Sequence, residues 1–223
     1  MIRPDTYIQL GNVIIHEPVT VFTNIILSCM CLIFFLIIRR QKSKKEGDFF
    51  WSYFFLATSI GSFLGIFTHA FFPSKDGLLY MSIYLPLQVL NISSAYFTQR
   101  ATIATALAFS AYTKTAIRIT SIQLAIFILA IFIFKDYKVV TIYSALALIP
   151  VMIIHFMYAK NDKTYLWIAY GIVVLFLTGI VHATKYSFHR YFNDLDIAHV
   201  LLMITFSMFF VGVKRKNAAL KEI

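Results

Sequence analysis

The chain has 223 residues, of which 60% are hydrophobic, 17% aromatic and only 13% charged; soluble proteins average about 25% charged. That composition excludes an ordinary water-soluble globule. The formal net charge of +10 would suggest nucleic acid in a soluble protein, but the basic residues here fall between apolar runs, where they set membrane orientation, so no nucleic-acid partner is expected.

Residues 1–17 are mostly polar and lack a basic n-region, and the apolar run behind them is too long for an h-region, so no cleavable signal is expected. The first run, 18–38, opens on Glu17-Pro18. Glu17, Thr20 and Asn24 are spaced i, i+3 and i+7 and share one helical face. Cys29 and Cys31 are two residues apart, on different sides of a helix, and support neither a disulfide framework nor a metal site. The second run, 49–72, is expected to start at Asp48 and to stop at 73–77; Ser62 and His69, seven apart, share a face.

The third run, 79–112, holds Pro86, Gln88, Asn91, Gln99 and Arg100, and reads either as one long kinked helix or as a helix preceded by an interfacial segment. Runs 116–134, 139–158 and 165–184 follow after short connections, with His155 and His182 near the ends of the fifth and sixth. The seventh, 197–213, has Asp194 and Asp196 before it and His199 one turn from Asp196. Each run has roughly the length a bilayer core demands of a helix, about 20 residues. The sequence therefore predicts an all-α, polytopic integral membrane protein of seven transmembrane helices, forming a single domain over 1–223 with no internal repeat.

Alternating the seven runs places Arg39, Arg40, Lys42, Lys44, Lys45, Lys114, Arg118, Lys160, Lys163, Lys214, Arg215, Lys216 and Lys221 on one side. Arg3, Lys75, Lys135, Lys138, Lys185 and Arg190 fall on the other, with Arg100 unassigned. Thirteen basic residues against six predict that the first side is cytoplasmic, with the N-terminus outside and the C-terminus in the cytoplasm. A bacterial inner membrane is the expected location, although a eukaryotic endomembrane obeys the same rule.

This topology collects ionisable residues at one depth. Glu17, His69, His182, Asp194, Asp196 and His199 all fall on the outer side, where groups of this kind normally face a bundle interior or cavity. Mixed His/carboxylate ligation with an open position suits a catalytic zinc. The candidate ligands are His69, Asp196 and His199, with His182 in reserve; Glu17, Ser62 and Asp194 are the candidate catalytic or supporting groups. Iron or manganese would accept nearly the same ligands. The alternative is structural: His16 and His189 as interfacial residues, His69 and His199 as hydrogen-bonded helix-end residues, Thr20, Asn24 and Ser62 as interhelical glue, and Glu17 as a first-turn acid before Pro18.

Three segments carry a family resemblance: Glu17-Pro-Val-Thr-Val-Phe-Thr-Asn24, Gly61-Ser-Phe-Leu-Gly-Ile-Phe-Thr-His69 and Phe192-Asn-Asp-Leu-Asp-Ile-Ala-His199. Their order and common depth resemble the CREST superfamily of seven-helix membrane hydrolases and receptors, which includes alkaline ceramidases and progestin/adipoQ receptors. They look most similar to a group of small bacterial membrane proteins whose last helix begins with Phe-Asn-x-x-Asp-x-x-His. The resemblance implies zinc held by a histidine of the second helix and a His-x-x-x-His pair of the seventh, aided by Ser and Asp. Here Leu195 stands where the first histidine of that pair would be, and Gly65 where the serine would be. Asp196, Ser62 or His182 would have to take their places.

The expected function is a metal-dependent hydrolase acting on a lipid amide or ester from an outward-facing cavity, with membrane lipids as partners. From a different class comes a noncatalytic receptor, sensor or small-molecule binding protein using the same cavity. A retinal protein is disfavoured because the body of the seventh helix has no lysine, and a secondary transporter because no inverted repeat is visible.

Overall fold

The computed structural model describes residues 6–41, 45–108 and 110–219. Arg3, Lys42, Lys44 and Lys221 of the charge count lie outside the described residues. A short antiparallel hairpin, β1 (Tyr7–Leu10) and β2 (Val13–His16), precedes seven helices. These are α1 (Pro18–Arg39), α2 (Glu46–Phe71), α3 (Gly77–Ala106), α4 (Thr113–Phe134), α5 (Lys138–Tyr158), α6 (Tyr165–Thr184) and α7 (Asp194–Ala219). All seven are long and apolar enough to cross a membrane.

The local chemistry explains most boundaries. Gly11 turns the hairpin with φ +61°, and it stands at the first of the two loop positions, where a type II′ turn requires glycine. Pro18 occupies the first turn of α1, where its missing N–H costs nothing. Glu46 and Asp48 complement the dipole at the start of α2, so the helix begins two residues before the expected Asp48. It ends at Phe71, two residues before Pro73. The long third run resolves into one helix that contains Pro86 and stops at Ala106. Beyond it, the Thr113 hydroxyl donates to the carbonyls of Leu107 and Ser110 and closes a turn before α4.

α1 packs on α2, α2 on α3, α3 on α5, α5 on α6, α6 on α7, and α7 returns to α1. This order closes a ring of six helices, with α4 lying outside against α3 and α5. Aromatic side chains fill the middle of the bundle: Phe34 stacks on Phe210 at 4.1 Å, and Phe54 meets Phe206 edge-on at 5.3 Å. Small residues allow the closest approaches. A Cβ at Gly171 would lie 2.7 Å from the Phe209 ring, so glycine is what lets α6 and α7 touch at that level.

The two ends of the bundle differ in character. One, the hairpin end, gathers the starts of α1 and α7 and the finishes of α2 and α6. The other, the basic end, carries Arg39, Arg40, Lys45 and Lys216. Arg100 joins the basic end: its guanidinium lies over the Phe50 ring at 4.5 Å and 3.9 Å from Glu46 at the start of α2. Cys29 is exposed and Cys31 buried, as their spacing requires.

Candidate functional site

At the hairpin end, α1 runs parallel to α7 and antiparallel to α2, and both neighbours are tied to it by polar rungs. Along α1 and α7, the Thr20 hydroxyl donates to Asp196 Oδ1 at 2.7 Å, and one turn deeper Thr23 Oγ1 meets His199 Nδ1 at 2.8 Å. The i, i+3 spacing of each pair on its own helix makes the two rungs coincide. Along α1 and α2, Ser28 and Ser59 each donate a hydroxyl to the other's carbonyl at 2.9 Å. One level up, the Asn24 carboxamide lies 3.0 Å from where a Cβ on Gly65 would stand. Asn24 thus fills the space that the resemblance assigns to a serine side chain on α2.

The topmost rung joins Glu17 to His69, the Glu17 carboxylate meeting His69 Nδ1. Lys75 Nζ lies 3.7 Å from the other carboxylate oxygen of Glu17. Glu17 has a left-handed backbone, φ 43° and ψ 54°, directly before Pro18. A non-glycine residue there carries a conformational cost of about 1–3 kcal/mol, a cost often found at functional positions. Its amide donates to the Thr6 carbonyl at 2.7 Å, which anchors the hairpin above the site. The His69 and His199 rings stand perpendicular with centroids 6.4 Å apart.

Asp196 does more than face Thr20. Its Oδ2 accepts the Asn193 amide at 2.8 Å, while Asn193 Oδ1 accepts the Leu195 amide at 2.8 Å. These two bonds make a variant of the capping box, in which Asn193 accepts from the second helical amide instead of the third, and α7 starts at Asp194 rather than at the expected Ile197. Both carboxylate oxygens of Asp196 are therefore engaged in tying down the start of α7. Of the other expected residues, His182 and Asp194 pair with each other at 3.4 Å, linking α6 to α7. Ser62, seven residues before His69, lies about 10 Å deeper along α2. His16 lies at the end of β2, with its ring 6.3 Å from that of Tyr7, and His189 is in the exposed connection before α7.

The structure thus brings together Glu17, His69, Asp196 and His199, and adds Thr23, which the sequence reading did not single out. Among the described residues, no group of three or more His, Cys, Asp or Glu side chains is close enough to hold a metal ion as it stands. Two imidazoles bound to one tetrahedral zinc, at a Zn–N distance of about 2.0 Å, have centroids about 5 Å apart. The His69–His199 separation exceeds that by about 1 Å, so the two rings as Glu17 and Thr23 hold them stand slightly too far apart to share an ion.

Taken together, a hairpin-topped bundle of seven bilayer-length helices with a buried polar cluster at one end defines the class of this molecule. The chain belongs to a family of unknown function, DUF6962, whose model matches residues 19–218, from α1 into α7. No curated protein and no solved structure matches it.

Proposed function

We propose that this is an integral membrane protein with the hairpin end outside and the C-terminus in the cytoplasm, acting as a metal-dependent hydrolase on a lipid amide or ester. The distribution of basic residues supports the orientation, and Arg100 adds to the side expected to be cytoplasmic. The observation that carries the hydrolase reading is the way both imidazoles are held. His69 is fixed at Nδ1 by Glu17 and His199 at Nδ1 by Thr23, so each ring keeps Nε2 as its remaining nitrogen. An oxygen partner on one ring nitrogen, with the other left for the ion, is the usual arrangement around metal-binding histidines.

Two imidazoles held in this way are the kind of donor zinc takes, with iron or manganese as close alternatives, and a third protein ligand would have to be brought in. His69 and His199 would hold the ion, with Asp196 or His182 as third candidates. Bound zinc would lower the pKa of a water and polarise a carbonyl. The chain's own residues then have distinct tasks. Glu17 orients His69 and offers a carboxylate for proton transfer, Thr23 sets the ring plane of His199, and Asp196 fixes the start of α7. The order of segments shared with the CREST superfamily supports the same reading, as an analogy of fold and site.

A noncatalytic receptor, sensor or binding protein using the same cluster is favoured by one observation. Asp196, the expected third ligand, is committed to the helix cap and to Thr20. Elemental analysis of protein purified without chelators, beside His69→Ala and His199→Ala, separates the two readings. Near-stoichiometric metal lost in both variants supports the hydrolase, and fatty-acid release from a lipid panel then tests turnover. A parent protein free of metal would leave the binding protein.

A further inference from the structure

Beyond the helices, the hairpin end carries apolar surface that the seven spans do not account for. Segment 6–16 contains no Asp, Glu, Lys or Arg. In the register of the hairpin, Tyr7 and Ile14 lie on one face and Ile8, Leu10 and Val13 on the other. All five are exposed, Leu10 to 61%. The base, by contrast, is rooted: Thr6 is buried, its carbonyl accepts the Glu17 amide, and β2 packs on α2. The ribbon therefore projects from the bundle with apolar side chains on both of its faces.

A second exposed segment lies on the other side of α1. The Thr20–Asp196 rung sets the starts of α1 and α7 at one depth, so the connection between α6 and α7 reaches the same level as the hairpin. Residues 185–193 contain no Asp or Glu, and they expose Tyr186, Phe188 and Tyr191 together with Lys185 and Arg190. The Arg190 guanidinium lies 5.4 Å from the centroid of the Tyr191 ring, and paired backbone bonds between His189 and Phe192 close the turn. Aromatic rings interleaved with cations suit the border of a bilayer, where a ring sits at headgroup level and a charge reaches water.

The chemistry distinguishes what covers these segments. A protein partner or a second copy covers one face of a ribbon and leaves the other in water, whereas a lipid boundary surrounds both. The hydrocarbon core is excluded, because the outer N–H and C=O groups of a two-stranded ribbon would find no partners there. We propose that the hairpin and residues 185–193 are immersed at the border of headgroups and acyl chains in the leaflet at the hairpin end. They lie on either side of the polar cluster, with Lys185 and Arg190 at the level of the lipid phosphates. The proposal rests on the helices spanning a bilayer and is independent of hydrolysis and of which side is outside.

Nitroxide labels on the full-length protein test it, in vesicles of phosphatidylcholine with phosphatidylglycerol. Cys29→Ala removes the exposed cysteine, and the buried Cys31 stays in place. Labels are attached through Leu10→Cys and Phe188→Cys, with Ile126→Cys on the exposed face of α4 as the lipid reference and Asn161→Cys between α5 and α6 as the water reference. Collision with a nickel chelate is expected to be at least threefold lower at Leu10 and Phe188 than at Asn161, with collision with oxygen raised towards that at Ile126. Either label matching Asn161 while Ile126 stays oxygen-rich overturns the assignment of its segment and leaves the membrane spans standing. An oxygen-poor Ile126 overturns the spans and the proposal together. Low access to both reagents at Leu10, with dipolar broadening of its spectrum, identifies a second copy on the hairpin and overturns the lipid assignment. If Leu10→Cys fails to elute as a monodisperse species, Val13→Cys on the same face replaces it.

Discussion

At the scale of single residues, Asp196 is where two readings meet. The Asp-x-x-His spacing suggests ligands on one helical face, and both side chains do face α1. The carboxylate, however, also closes the variant capping box with Asn193. Asn193→Ala should lower stability by about 1 kcal/mol through the lost cap. Asp196→Ala should cost more, about 2–3 kcal/mol, because it also strips a buried hydroxyl, Thr20, of a charged acceptor. Unfolding midpoints in detergent measure the difference, and equal losses would count against the double role. The sequence reading set Asp194 and Asp196 just ahead of the seventh run and did not take Asn193 as the start of the helix. Thr23 was not legible, because nothing local to residues 20–24 indicates which helix will face them.

At the scale of elements, approach distance decides which helices can pair. Gly171 admits the Phe209 ring at the α6–α7 contact, and a Cβ there would fall 2.7 Å from it. Gly171→Val is expected to separate the two helices and to lower the thermal midpoint or the yield of folded protein. Gly179, on the same helix with nothing within 4 Å of an added Cβ, should accept alanine with little change. A midpoint for Gly171→Val equal to that of Gly179→Ala would show that the contact is not tight. The sequence places both glycines in one apolar run without distinguishing them. Close packing is a property of two surfaces, and only one of them is visible in any single segment.

At the scale of the whole molecule, the six-helix ring with α4 outside it brings the first and last helices side by side and so assembles the site from both ends of the chain. The proposed orientation predicts that alkaline phosphatase fused after Asp136 is active and after Asn161 inactive, while a C-terminal fluorescent fusion is bright; the reverse pattern would invert the assignment of sides. The sequence by itself determined the seven helices, their approximate limits, the separation of basic residues and the common depth of Glu17, His69, Asp196 and His199. Hydropathy and helical rise are local, additive quantities, so they can be read in order along the chain. Only the tertiary structure decided that Glu17 meets His69, that Thr23 meets His199 across 176 positions, that His182 turns to Asp194, and that His155 is buried beside Lys216. Those pairings depend on the register and rotation of one helix against another, which are fixed by packing between segments distant in sequence.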